Sequence, residues 1–329
     1  MHPEPMTDEP LSLDVQLKRA IVPLIAVTEE AIWHPVGTAF VVAVCRLSTA
    51  PGAANEIDGS AALLLTAAHN LREWLRLDTR PSPRATSTPA DFLPTPPRSI
   101  EVKSTRLYAG VEGPKEFVLA EVLKSWYQNE MDVAVVLARI PSGRPAKFTG
   151  RFAIDPSPVA VGTELAAIGY AGMAAESAPD YERGIYSVQF TKRIEVRHGS
   201  VIAVHSEGIG IYKWPGFIVG CPFDSGMSGG PLVDHSKSVP IVRGVICGDL
   251  SDNPDDGRSG SGAHAFASVL WPALGTPLVD AQLQNSAGET VAIKSLIDLI
   301  SHKAIDDRGD SLAHFQRDNT DPGYAVWWI

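Results

Sequence analysis

From Lys18 to Ser268 the chain alternates short apolar runs with Gly, Pro, Asn and Asp, and this rhythm limits it to β-structure more than any other feature does. The runs are rich in Val, Ile and Leu and too short for amphipathic helices, whereas each matches one strand. The spacing predicts strands over 18–28, 36–45, 61–67, 117–123, 132–139, 161–168, 186–195, 199–205, 216–221, 231–234, 239–247 and 263–268. Helical periodicity appears only near the end, where Ile293, Leu296, Ile297, Ile300 and Ile305 fall roughly on one face and predict one helix. The strand candidates divide into two groups, 18–145 and 150–272, each of about half a dozen, a count that suits two β-barrels. A short N-terminal segment, 1–17, precedes them, and a C-terminal extension, 273–329, follows.

Two stretches interrupt the rhythm. Residues 80–98 carry six prolines among Ser, Thr and Arg, which offers little apolar mass and few backbone donors, so a long mobile surface insertion is expected. Residues 250–262 are polar and Gly-rich between two strand candidates, and a second flexible loop is expected there.

The chain has 329 residues, 44% of them hydrophobic, enough for a sizeable core in each of two units. Its formal charge is −10, with 38 acidic and 28 basic residues, and the basic ones form no run that could follow a phosphate backbone. Nucleic acid is therefore a poor partner. The opening residues lack the basic and apolar segments of a secretory signal, and no run approaches a membrane span. With only Cys45, Cys221 and Cys247, a disulfide framework is excluded, and a reducing cytoplasm is the expected setting. No metal-ligand spacing or phosphate-cradling loop is present, so no cofactor is expected.

Three strings carry chemistry. In Asp224-Ser225-Gly226-Met227-Ser228-Gly229-Gly230-Pro231, glycines around a serine permit a tight turn that projects a hydroxyl beside backbone amides, which acyl transfer requires. Leu63-Leu64-Leu65-Thr66-Ala67-Ala68-His69 is a strand ending in two small residues and a histidine, a candidate proton acceptor. Asp132 opens the apolar strand Val133-Ala134-Val135-Val136-Leu137, where a carboxylate is costly unless paired, and an imidazole N–H is a natural partner. Taken singly, each has a plainer reading: a β-turn before a strand, a histidine capping a strand end, a turn aspartate.

Together with Gly37-Thr38-Ala39-Phe40-Val41-Val42, and in the order His, Asp, Ser, these strings resemble the chymotrypsin-like serine peptidases. The resemblance covers about residues 18–272. It implies an all-β fold of two antiparallel six-stranded β-barrels with the active site in the cleft between them, to which this chain would add a C-terminal helix and extension. It implies further that His69 takes the Ser228 proton and later protonates the leaving amine, that Asp132 stabilises the imidazolium, and that the amides of Gly226 and Ser228 hold the oxyanion.

The chain departs from the secreted members. Met227 stands before the nucleophile where they carry an aspartate, and no Ile-Val-Gly-Gly start exists, so it resembles the bacterial, non-zymogen branch. Without that switch, a regulatory protein partner or a loop rearrangement is expected to restrain it. Arg243-Gly244-Val245-Ile246-Cys247-Gly248-Asp249 looks like the segment that lines substrate backbone and pocket wall, with Cys247 where the family often has a serine bonding the catalytic aspartate. Pro222 falls near the usual pocket floor, while Asp249 would favour a basic substrate side chain and His264 an acidic or polar one. Cys221 and Cys247 could bridge near the pocket, although free buried thiols suit a reducing compartment better. The expected activity is that of an endopeptidase acting on protein or peptide. The alternatives are a non-catalytic peptide-binding scaffold and a serine esterase.

Overall fold

The computed structural model describes residues 15–27, 33–44, 47–48, 61–72, 99–100, 107–113, 117–128, 131–180, 185–236, 239–250, 264–278, 281–284, 290–307, 315–319 and 324–328. The whole of the Pro-rich insertion, nearly all of the 250–262 loop, and Cys45 lie outside the described residues.

Strands β1 (Ile21–Val27), β2 (Trp33–Val44), β4 (Ala61–Thr66), β6 (Leu107–Glu112), β7 (Phe117–Tyr127) and β8 (Ala134–Arg139) form a closed, six-stranded antiparallel barrel. Pairing runs β7–β6–β1–β2–β4–β8 and returns from β8 to β7, so no edge is left open within the ring. The short β5 (Ser99–Ile100) adds to β7 outside it. Alternation along β7 buries one face and half-exposes the other. In β8, by contrast, all residues from Ala134 to Ala138 are buried, because its outer face is covered as well. Part of that packing comes from the C-terminal extension: Leu274, Leu278, Leu296, Leu299, Ile300 and Ile305 belong to the same apolar cluster as Phe40, Leu64 and Val135.

The second sheet has the order β13–β10–β11–β12–β15–β14–β9, with β13 also pairing with β14. Its members are β9 (Ala153–Ile154), β10 (Glu164–Asp180), β11 (Ile185–His205), β12 (Gly216–Val219), β13 (Pro231–Asp234), β14 (Ile241–Asp249) and β15 (Ala265–Val269). All pairings are antiparallel except that of β9 with β14.

Several strand expectations need correction. The two strands expected over 186–195 and 199–205 are one, β11, because Gly199 is no turn: a Cβ there would lie 2.9 Å from the Gly220 carbonyl carbon, so this glycine admits a neighbouring backbone. The strand expected over 161–168 runs on to Asp180, past a register shift between Ala171 and Ala174 with Gly172 at φ 58°. Its Gly- and Ala-rich continuation carries little strand signal and is held by pairing with β11. The unexpected β6 runs unbroken through Gly110, which pairs with Leu119 and where a Cβ would run into the Phe117 ring.

The C-terminal helix is shorter than its periodicity suggests, Leu296–Ser301, because Ile293 ends a strand and Lys303 takes a left-handed φ of 59° that stops the helix. The Asp298 carboxylate accepts the amides of Lys294 and Ser295 at its start. The extension also holds β16 (Ala281–Gln284), β17 (Thr290–Ile293), β18 (Phe315–Asn319) and β19 (Tyr324–Trp328). Strand β16 pairs with β3 (Leu47–Ser48), so the C-terminal extension shares a sheet with the first half of the chain. Among the described residues, no helix is long and apolar enough to cross a membrane.

Candidate functional site

The first half of the site grows from the end of β4. Ala67 and Ala68 are fully buried, and their small side chains let a helical turn, 68–72, start directly behind the strand. His69 lies on that turn, half-exposed, and faces the start of β8, where Asp132 has no solvent exposure. A buried, unpartnered carboxylate costs several kcal/mol, and donors from the helical turn offset that cost. Asp132 Oδ2 lies 2.6 Å from His69 Nδ1, and Oδ1 accepts the His69 amide at 2.7 Å and Arg72 Nη2 at 3.0 Å. Facing a carboxylate, Nδ1 carries the proton, so the neutral ring presents the Nε2 lone pair on its other side.

The second half is the turn Asp224–Gly230 leading into β13. Gly226 and Gly229 hold φ of 95° and 87°, a left-handed region that side chains disfavour. Every carbonyl from residue 225 to 228 has a donor. Ser225 O accepts Gly172 N at 3.1 Å and Met227 O accepts Gly230 N at 2.9 Å. Gly226 O accepts the Thr38 hydroxyl at 2.7 Å, and Ser228 O accepts Thr38 N at 2.8 Å and Asn70 Nδ2 at 2.9 Å. In a planar trans peptide the N–H opposes the preceding carbonyl, so tying down Ser225 O and Met227 O turns the Gly226 and Ser228 amides the other way. Among the described residues neither amide has a hydrogen-bond acceptor, which leaves two donors for an anion.

Contact between the halves runs through Asn70, the residue after His69. It is buried, and its Nδ2 also donates to Thr66 Oγ1 at 3.1 Å. The Ser228 hydroxyl donates to the Cys247 carbonyl at 2.7 Å, so in this structure it turns towards β14 rather than towards the His69 ring. The structure thus brings His69 and Asp132 into direct contact, and places Ser228 beside Asn70 with its hydroxyl otherwise engaged.

The substrate-binding candidates divide. Cys247, Gly248 and Asp249 end β14, and His264 sits opposite this end through the Leu250 N to His264 O bond of 3.1 Å. Pro222 is exposed on the segment between β12 and the serine turn. Behind Gly248 lies an aromatic cluster: the Tyr212 ring stacks on Phe266 at 4.5 Å, with Trp214 edge-on to Tyr212 at 5.6 Å. A Cβ at Gly248 would come 2.7 Å from the Tyr212 hydroxyl oxygen. No side chain sequence reasoning named accounts for this aromatic wall.

Cys221 and Cys247 are both free and buried. Burial pushes the Cys221 thiol up to about 11, with Arg197 pulling weakly the other way. Cys247 is likewise held well above its ordinary value, first by burial and then by the negative charge of Asp132, and its Sγ lies 3.0 Å from Ser268 Oγ. Asn70, Arg72 and Thr66 were not among the expected site residues, and Thr38 was legible only as part of a strand string. For the two threonines a signal was available: each is a polar residue in a strongly apolar strand, where a buried polar side chain needs a partner.

No family model matches the chain, and no curated protein does.

Proposed function

We propose that the chain is a serine endopeptidase with Ser228 as nucleophile, His69 as general base and Asp132 as the group that orients and stabilises the His69 ring. Asn70 carries this reading: it follows the base directly in the chain and bonds the carbonyl of the nucleophile at 2.9 Å, so the two turns adjoin. The His69–Asp132 pair at 2.6 Å and the two amides without acceptors support it. The pairings of the second sheet, which pass from β13 through β10, β11, β12, β15 and β14 back to β13, support a second barrel of the chymotrypsin type.

In the proposed reaction an extended peptide adds to the end of β14. Strand β13 pairs with β14 only as far as Val245, whereas β15 continues to Asp249, so among the described residues no strand pairs with Cys247–Asp249 on the serine side. A substrate N–H takes the Cys247 carbonyl and displaces the Ser228 hydroxyl, which rotates to His69 Nε2. His69 accepts the proton as Oγ attacks the peptide carbonyl, and the oxyanion falls to the Gly226 and Ser228 amides, each worth about 3–4 kcal/mol of barrier. His69 then protonates the departing amine, and water hydrolyses the acyl-enzyme by the same route. The Tyr212–Trp214–Phe266 cluster behind Gly248 favours apolar contact over an ion pair at this end of the cleft.

A fluorophosphonate probe tests the reading, since it needs an activated serine and no knowledge of the natural substrate. The wild type is expected to be labelled and Ser228→Ala not. Absence of labelling in the wild type from pH 6 to 9 would favour the peptide-binding scaffold, and cleavage of esters but of no member of a peptide library would favour the esterase.

A further inference from the structure

We infer that Thr38, on β2 of the first barrel, is a positioning residue that sets the oxyanion-binding amides of the serine turn in the second sheet; this rests on the serine-peptidase reading above. Thr38 is fully buried and touches the turn at both ends. Its hydroxyl donates to Gly226 O at 2.7 Å, and its amide donates to Ser228 O at 2.8 Å. The hydroxyl oxygen also accepts Tyr170 N at 2.9 Å, the residue of β10 whose carbonyl lies closest to a Cβ built on Gly226, at 2.8 Å. The Thr38 carbonyl in turn accepts Thr66 Oγ1 at 2.7 Å, and Thr66 Oγ1 accepts Asn70 Nδ2. One threonine is thereby joined to β4, β10, the helical turn of His69 and the serine turn.

The consequence is chemical. Gly226 and Met227 are linked by one peptide plane, held at its amide by the 3.0 Å bond from Met227 N to Asp224 O and at its oxygen by Thr38 Oγ1; without the hydroxyl only the amide end is held, and the plane can turn about it. A flip would rotate Gly226 and with it the adjoining amides on which the oxyanion depends. Preorganised donors cost no reorganisation when charge develops, so a residue that prevents the flip serves the transition state and not the ground state. Met227, which precedes the proposed nucleophile, offers no carboxylate for ordering the turn, so contacts to its main chain order the amides, and Thr38 supplies them from the first barrel.

The test uses the full chain and the fluorophosphonate probe, separating the limiting labelling rate from the probe's apparent affinity. Thr38→Val keeps shape and the backbone amide but removes the hydroxyl. It is expected to lower the limiting rate by about 10²-fold or more, with apparent affinity changed by less than about threefold. Thr38→Ser, which restores the hydroxyl, is expected to return the rate to within about fivefold of the wild type even where its melting temperature falls with the lost methyl. If Thr38→Val does not fold, Thr38→Cys keeps a weak donor at the same place and is expected to give a rate between those of Val and Ser. A labelled wild type with Thr38→Val or Thr38→Cys reacting at the wild-type rate, or with Thr38→Ser as slow as Thr38→Val, overturns the role of Thr38 and leaves the peptidase reading standing. An unlabelled wild type overturns both.

Discussion

Around Asp132 the hydrogen bonds converge on one side-chain carboxylate, whereas around Ser228 they run to main-chain carbonyls. Asp132 is a single buried charge held by His69 and Arg72. Ser228 sits in a turn whose four carbonyls are gripped by Gly172, Thr38, Gly230 and Asn70. The first arrangement depends on which functional groups are present, and the second on which backbone shapes are allowed. A conservative change of chemistry should therefore injure the acid–base half most, and a change of shape without chemistry should injure the serine half.

Asp132→Asn breaks that comparison most directly. An amide cannot accept from His69 Nδ1, the His69 amide and Arg72 at once, and its NH2 would face either the ring or the guanidinium. The labelling rate of Ser228 is expected to fall by about 10⁴-fold while the chain stays folded. Stopped-flow labelling beside a melting curve checks this, and a fall of under tenfold would mean that Asp132 does not orient the base.

Gly229→Ala changes no functional group. It imposes a side chain at φ 87° and puts Cβ 2.1 Å from Thr38 O and 2.2 Å from Thr66 Oγ1. Strain and overpacking together cost about 2–6 kcal/mol. Gly162→Ala is the matched control, since Gly162 has a similar φ of 89° and nothing within 4 Å of a built Cβ. Calorimetry should show Gly229→Ala melting well below Gly162→Ala; equal melting would refute the claim that backbone shape holds this turn.

The smallest effect concerns the thiols. The folded chain holds the Cys221 proton up to about 11, above the ordinary 9.0, so as pH rises past 9.0 the unfolded chain loses its proton first. Stability from this residue is complete below 9.0 and falls away as pH climbs towards about 11. Melting curves between pH 8 and 11 should therefore drop more steeply in the wild type than in Cys221→Ala. Parallel curves would show that burial of this thiol is looser than the structure has it.

How much of this was legible in the chain follows from the range of each interaction. Strand β13 was expected at 231–234 and stands at Pro231–Asp234, because an apolar run bounded by glycines and a polar segment is a local signal. Strand β6 and the outer half of β10 were illegible, since Gly110 and the Ala-rich 171–178 segment carry no strand preference and are held by their neighbours. The serine turn was legible because left-handed φ at Gly226 and Gly229 selects glycine directly. Arg72 and Asn70 were not, because nothing local distinguishes an arginine that reaches a buried acid 60 residues away, or an asparagine that bonds a carbonyl 158 residues away, from surface residues of a helical turn.

The sequence by itself determined the β class, the tight serine turn and the residue types available for proton transfer, since backbone preference and side-chain chemistry belong to each residue alone. Only the tertiary structure decided which polar groups meet: that Arg72 shares Asp132 with His69, that Thr38 spans the serine turn, and that the Ser228 hydroxyl bonds Cys247. Buried donors and acceptors must find partners somewhere, but their identity is set by packing between strands far apart in the chain.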